Sequence, residues 1–110
     1  MLDEHEFRRH CDEALDDLFK ALNQATSLHD FDPDMVSGAL QISFDEPPGK
    51  FVVSPQAPLR QVWVSAHSRS FKLDWNPERQ AFVLAGTGQT LKEMIGAAMA
   101  THLGEAVALQ

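Results

Sequence analysis

The stretch that decides the fold runs from residue 60 to residue 65 and reads Arg60-Gln61-Val62-Trp63-Val64-Ser65. Its apolar and polar side chains alternate, which is typical of a β-strand with one buried face. The two valines then point towards the core, and Gln61 and Trp63 point the other way. A tryptophan on an uncovered sheet face, beside a polar side chain, more often anchors a partner than lies there by accident. The sequence therefore predicts a partner-binding surface at Gln61 and Trp63, with burial of Trp63 under a loop as the alternative.

The same alternation recurs on both sides of this strand. We predict strands over Met35–Phe44, Lys50–Ser54, Arg60–Ala66, Ser70–Trp75 and Ala81–Ala85. The residue groups 46–49 and 76–79 contain proline beside polar residues or glycine and are strong turn signals. Consecutive strands joined by such short turns form an antiparallel meander, here of five or six strands. Alternation also points Phe71, Leu73 and Trp75 inward, with Trp75 expected in the core.

A helix is predicted on each side of the strands. Between residues 3 and 26 one apolar stripe recurs at helical spacing, formed by Phe7, Cys11, Ala14, Leu15, Leu18, Leu22 and Ala25. Thr90 and Glu93 form a capping box that opens a second helix, which ends near Leu103 before Gly104. The predicted fold class is α+β: a two-layer sandwich in which the N- and C-terminal helices pack on one face of an antiparallel sheet. Residues 1–110 are expected to form a single domain.

The charge is strongly segregated. Of the sixteen Asp and Glu residues, twelve lie in the first 46 positions, together with only three of the nine Lys and Arg residues. Such a local negative field attracts metal cations or basic protein surfaces and repels nucleic acid. The acids form two clusters, Asp12, Glu13, Asp16 and Asp17 on the first helix and Asp30, Asp32 and Asp34 just before the first strand. Because the clusters are adjacent, we predict one acidic ridge; a merely solvated helix face is the alternative.

Other signals narrow the functional classes. A single cysteine, Cys11, excludes an internal disulfide framework or a multi-cysteine metal site, and is expected to be buried packing. No apolar run approaches the roughly 18 residues of a membrane helix, and the acidic start is unlike a secretory signal or presequence, so a cytoplasmic protein without membrane contact is expected. No nucleophilic triad spacing is present, so we expect no enzyme. His5 and His10 flank the acidic face and could add a nitrogen ligand, although surface roles suffice.

The segment Pro58-Leu59-Arg60-Gln61-Val62-Trp63-Val64-Ser65 resembles the Pro-x-x-Gln-x-Trp-x-Ser signature of the frataxin family, specifically of its bacterial CyaY branch. The segments 37–44 (SGALQISF) and 72–75 (KLDW) support the resemblance, as does Leu2-Asp3-Glu4 leading into the acidic helix. The order of elements agrees, and the resemblance covers essentially the whole chain. One departure is that Lys20, Asn23 and Gln24 stand where family members usually keep acids.

This resemblance implies an iron-binding regulator or iron chaperone of iron–sulfur cluster assembly, mainly monomeric. It would bind Fe²⁺ and Fe³⁺ weakly, in competition with other divalent cations, and would dock onto the cysteine desulfurase and onto the cluster scaffold protein. Carried over to this sequence, the metal-binding residues are Asp12, Glu13, Asp16, Asp17, Asp30, Asp32 and Asp34. The partner-binding residues are Gln61 and Trp63.

Two alternatives stay open at this point. An iron-storage or ferroxidase-type protein would need oligomers and a dinuclear carboxylate site, for which facing Glu-x-x-His motifs are the usual source and are absent here. The second alternative is an acidic protein-interaction module with incidental metal binding. The sequence also leaves open whether cluster assembly is inhibited or activated, and how many iron ions bind.

Overall fold

The computed structural model describes residues 3–109, which form two helices and six strands. In chain order the elements are α1 (Glu4–Ala25), β1 (Asp32–Val36), β2 (Ala39–Asp45), β3 (Pro48–Gln56), β4 (Gln61–Ala66), β5 (Arg69–Asn76), β6 (Ala81–Leu84) and α2 (Leu91–Leu103). The strands form one sheet in sequence order, and every neighbouring pair is antiparallel. The predicted two-layer α+β fold is therefore confirmed.

Helix α1 begins and packs as its sequence pattern predicts. The Asp3 carboxylate accepts a hydrogen bond from the Glu6 backbone N–H at 2.8 Å, which caps the first turn. Leu2, which supports the family resemblance in the sequence, lies outside the described residues. The buried side chains of α1 are Phe7, Cys11, Leu15, Leu18, Ala21, Leu22 and Ala25. Ala21 joins the predicted stripe, while Ala14 lies half-buried at its margin.

The predicted strand Met35–Phe44 is wrong, because a hairpin divides it into β1 and β2. Ser37 and Gly38 form the turn, with φ angles of 52° and 82°. A two-residue turn with both φ angles positive matches the right-handed twist of the flanking strands, and glycine adopts that conformation without steric cost. A continuous alternation from Leu40 would place Val36 inward and Met35 outward, whereas the hairpin pairs Met35 with the buried Leu40. This hairpin makes Asp32 and Asp34 members of the edge strand.

Other boundaries also differ from the prediction, including those of β4 and β5 by one residue. Strand β3 begins at Pro48 and extends to Gln56, so that only Glu46 and Pro47, joined by a cis peptide bond, form the turn before it. The predicted connection 55–58 is reduced to a short 3₁₀ helix at Ala57–Leu59. Strand β6 ends at Leu84, one residue earlier than predicted.

The core lies between the helices and one face of the sheet. That face is formed by alternate side chains of β2–β6, among them Ile42, Val53, Val62, Leu73 and Phe82, each at most 1 % exposed. Helix α2 covers them with Leu91, Met94, Ile95 and Met99. It begins at the predicted Thr90–Glu93 capping box and ends at Gly104. Since both helices cover the same face, the opposite face of the sheet is left without a helix.

Candidate functional site

The strand register shows which side chains lie on the open face of the sheet. Residues paired across an antiparallel ladder point to the same side. Trp63 pairs with Ser54 and with Lys72, and the neighbouring core residues Val62 and Val64 point to the helices. Gln61 pairs with Gln56 and with Asp74. The open face therefore carries Gln61 and Trp63, on the side that the alternation predicts.

Trp63 is held in one orientation by its neighbours on the sheet. Its indole Nε1–H donates to Gln61 Oε1 at 3.0 Å, and Gln61 Nε2 donates to Asp74 Oδ1 at 3.1 Å. The Lys72 ammonium lies 5.0 Å from the Trp63 ring centroid, a cation–π distance. The ring is half-buried, and these contacts come from side chains of β4 and β5. A large aromatic surface is thus presented in a preset orientation.

Sequence reasoning missed Lys72 and Asp74 as parts of this surface. Alternation alone could have placed both residues on the open face, because they alternate with the inward-facing Phe71 and Leu73 on β5. Alternation shows the face of each residue but not which residue of the next strand lies opposite. That pairing depends on the β4–β5 register, which the turn geometry sets.

The acids of β1 belong to the same open face. Asp32 pairs with Ser43 and Asp34 pairs with Gln41, whereas Met35 pairs with the buried Leu40. Asp32 and Asp34 are exposed, as is Asp30 in the connection before β1. These β1 carboxylates therefore lie on the side of Trp63 and not on the helix side, and β1 is three strand spacings, about 14 Å, from β4.

The four acids of α1 are divided between its two sides. Asp12 and Asp16 line a shallow cleft of about 140 Å³ against the β1–β2 turn, together with Leu15, Phe19, Met35 and Gly38. Glu13 and Asp17 line a larger groove of about 350 Å³ on the other side, against β5, β6 and the start of α2. The acids thus follow the outer surface of α1, and the β1 carboxylates continue around the sheet edge onto the open face.

Ion pairs distinguish the α1 carboxylates further. Asp16 pairs with Lys20 at 2.9 Å, and this hydrogen bond and charge raise the pKa of Lys20. Asp17 pairs with Lys92 of α2 at 2.6 Å. For Asp12 and Glu13, both exposed, the structure gives no ion pair with any residue from 3 to 109. The carboxylates of Asp12 and Glu13 therefore face solvent.

The carboxylates do not converge on one point. Within residues 3–109, no three His, Cys, Asp or Glu side chains lie close enough together to hold a metal ion. Cys11 adds no thiolate ligand, since burial, followed by the charge of Asp12, raises the pKa of its thiol to about 12. A hard cation would here meet one or two carboxylates at a time, with water completing its coordination shell.

The histidines are mostly engaged in packing. His10 stacks on Trp75 with ring centroids 3.8 Å apart, at the wall of the larger groove. Trp75, predicted in the core, points inward but is only half-buried, because it lines the wall of that groove. His102 contacts the Pro47 carbonyl at 2.7 Å, and His29 contacts Glu105 at 2.6 Å. His5 is exposed on the first turn of α1.

Neither helix in the described part of the chain is long and apolar enough to cross a membrane.

Comparison with known proteins agrees with the fold. A family model described as the frataxin-like domain matches residues 1–105. The chain is similar to proteins named iron–sulfur cluster assembly protein CyaY, at 24 % identity in Thioalkalivibrio sulfidiphilus (94 % of this chain, 95 % of the relative) and 32 % in Stutzerimonas stutzeri (86 % and 81 %). The solved frataxin of Psychromonas ingrahamii superposes with a TM-score of 0.85 at 21 % identity, over 99 % of both chains. The trimeric frataxin of Saccharomyces cerevisiae superposes at 0.72, with 19 % identity over 87 % of this chain and 80 % of the yeast chain. This chain therefore belongs to the frataxin family, in its bacterial CyaY branch.

Proposed function

We propose that this protein takes part in iron–sulfur cluster assembly as an iron-binding regulator of the cysteine desulfurase. Its relatives in Thioalkalivibrio sulfidiphilus and Azotobacter vinelandii are named iron–sulfur cluster assembly proteins. The single observation that carries the proposal is the shared open face, which carries both the β1 carboxylates and the preset Trp63 ring, on strands about 14 Å apart. One protein partner can span both, since a standard interface buries about 800 Å² on each side.

Iron is the cargo in this proposal and binds weakly. Ferrous and ferric ions accept carboxylate oxygens readily, and a row of exposed acids offers Asp12, Glu13, Asp16, Asp17, Asp30, Asp32 and Asp34. Because these acids are dispersed, we expect a Kd near the micromolar level, corresponding to about −8 kcal/mol. Other divalent cations should compete, since exposed carboxylates impose little geometry.

Regulation would follow because iron and the desulfurase would bind the same carboxylates. A partner with a basic surface is attracted by the same carboxylates that iron neutralises. Iron loading would lower the negative charge of the ridge and change the affinity for the desulfurase. The protein would thus report iron availability to the sulfur donor without a catalytic step of its own. The cluster scaffold protein is a second candidate partner on the sheet face.

The decisive experiment is calorimetric titration of the protein into the cysteine desulfurase of its own organism. We expect micromolar binding that weakens between 50 and 300 mM salt and changes when ferrous iron is added under anaerobic conditions. The matched variants are Asp12→Asn/Asp34→Asn, which removes two ridge charges, and Glu78→Gln/Glu105→Gln, which removes two charges outside the ridge.

The outcomes separate the alternatives. Loss of desulfurase binding in the ridge variant, with retention in the control, supports the adaptor role. Loss of iron uptake with desulfurase binding unchanged would instead favour storage. No desulfurase binding by the parent protein in any condition would overturn the proposal.

A further inference from the structure

The cleft between α1 and the β1–β2 turn combines a charged rim with an apolar wall. Asp12 and Asp16 form the rim, and the side chains of Leu15, Phe19 and Met35 form the wall. Met35 is 39 % exposed, although it lies on the helix side of the sheet opposite the fully buried Leu40. An apolar surface that the fold leaves open beside two carboxylates is a common form of protein contact site.

The apolar wall discriminates between the two ligands of the proposed function. A hydrated metal ion needs oxygen ligands and gains nothing from Phe19 or Met35. A lysine or arginine side chain carries an apolar stem behind its charged group, so it can place the stem on the wall and the cation at the rim. The volume of about 140 Å³ suits one such side chain.

An ion pair within the protein shows that a lysine ammonium can bind to the rim of the cleft. Lys20, one turn along α1 from Asp16, reaches back to Asp16 with Nζ 2.9 Å from Oδ2. Asp12, one turn in the other direction, has no ion pair within residues 3–109 and remains available to a second cation. Lys20 therefore competes with any incoming cation for Asp16 and leaves Asp12 open.

We propose that this cleft receives one lysine or arginine side chain of a protein partner, with its stem against Met35 and Phe19 and its cation between Asp12 and Asp16. The proposal rests on the proposed function and adds to it a contact that separates partner binding from iron binding. Iron would neutralise the rim carboxylates together with the rest of the ridge, whereas the apolar wall of Phe19 and Met35 would contribute to the binding of a basic side chain only. Charge complementarity with the rim favours a cationic occupant over a second copy of this acidic chain.

Substitutions test the cleft in both directions. Met35→Ser should weaken desulfurase binding about tenfold, the size of effect expected for an interface anchor, and leave iron affinity unchanged. The control Leu28→Ser removes a more exposed apolar side chain outside the cleft and should leave both affinities unchanged. Lys20→Gln should strengthen desulfurase binding about two- to threefold, because a surface ion pair that competes for Asp16 is removed. A gain in affinity cannot result from misfolding.

A second measurement does not depend on the desulfurase. Titration with N-acetyl-arginine amide, followed by NMR, should shift the Met35 methyl signal and leave the Met94 methyl signal, in the core, unchanged. If the parent protein does not bind the desulfurase but the Met35 signal shifts, the proposed function fails and the cleft is supported. If the desulfurase binds and neither Met35→Ser nor Lys20→Gln changes its affinity, the cleft proposal is overturned and the proposed function stands. Absence of a Met35 shift also counts against the cleft.

Discussion

The two sides of α1 carry the same arrangement of acids but meet different neighbours. Asp12 and Asp16 on one side, and Glu13 and Asp17 on the other, are both spaced by one helical turn. On the β1 side they border an open cleft with an exposed methionine. On the α2 side, Asp17 is bound to Lys92, and the stacked rings of His10 and Trp75 line the larger groove.

This difference indicates that the residues packed beside a carboxylate determine its role. An ion pair within the fold, such as Asp17 with Lys92, links the two helices and lowers the charge shown to a partner. On the β1 side Asp16 pairs with Lys20 of the same helix, and Asp12, with no ion pair within residues 3–109, stays available to an external ligand. We therefore expect the α2 side to serve mainly stability and the β1 side mainly binding.

The largest effect should come from the core that both sides share. Leu15 lies under the cleft and Leu18 under the groove, at 3 % and 1 % exposure. Leu15→Ala and Leu18→Ala should each lower the free energy of unfolding by about 2–5 kcal/mol, because each leaves a cavity. Urea unfolding followed by circular dichroism measures both. A loss below about 1 kcal/mol for one of the two would contradict a common core beneath both sides.

The next largest effect should come from charge reversal, and it should differ between the sides. Asp12→Lys/Asp16→Lys should weaken desulfurase binding at least tenfold, because close charge pairs at an interface couple strongly. Glu13→Lys/Asp17→Lys changes the net charge equally but should weaken binding less and should destabilise the α1–α2 contact instead. Calorimetry at fixed salt, with thermal unfolding of each variant, compares the two. Equal losses of affinity would mean that net charge alone matters and that the sides do not differ.

A smaller effect is expected on the sheet face, at the far end of the same proposed interface. Trp63→Ala removes the ring that Gln61 and Lys72 hold in place, and should weaken desulfurase binding by about 1–2 kcal/mol. The control Ser65→Ala lies on the same strand and face and should have no effect on binding. Retention of full affinity by Trp63→Ala would confine the interface to the β1 edge.

The smallest effect should be that of the ion pair on the α2 side. Lys92→Met removes the cation that pairs with Asp17 and keeps the length of the side chain. We expect the free energy of unfolding to fall by about 0.5 kcal/mol, because the pair is partly exposed and screened. The loss should shrink in 1 M salt, and Lys50→Met, at an exposed position of β3, should show no comparable salt dependence. An effect that does not depend on salt would indicate packing of the lysine stem and not charge.

Much of the fold could be predicted because its signals are local. The apolar stripe of α1, the Thr90–Glu93 capping box and the alternation of Val62 and Val64 each depend on residues that are neighbours in sequence. The β1–β2 hairpin was missed because Ser37 and Gly38 were included in one predicted strand and not interpreted as a two-residue turn. Trp75 was placed in the core because alternation shows the direction of a side chain but not the depth of the layer above it.

The candidate site could be predicted as a set of residues but not as an arrangement. The acids and Trp63 were found from charge and alternation, whereas Lys72, Asp74, Phe19 and Met35 were not. Each of those four matters through a residue on another element, opposite or beside it. Such pairings depend on strand register and on how α1 lies across the sheet, and short-range patterns carry no information about either.

The sequence by itself determined the class of the fold, the apolar faces of both helices and the side of the sheet on which Gln61 and Trp63 lie. It could do so because helical and strand periodicities place side chains relative to their own backbone. Only the tertiary structure decided that Asp32 and Asp34 share the face of Trp63, that Asp17 pairs with Lys92, and that Asp12 and Asp16 border an open cleft. Those relations join residues far apart in the chain, and packing of the single core brings them together.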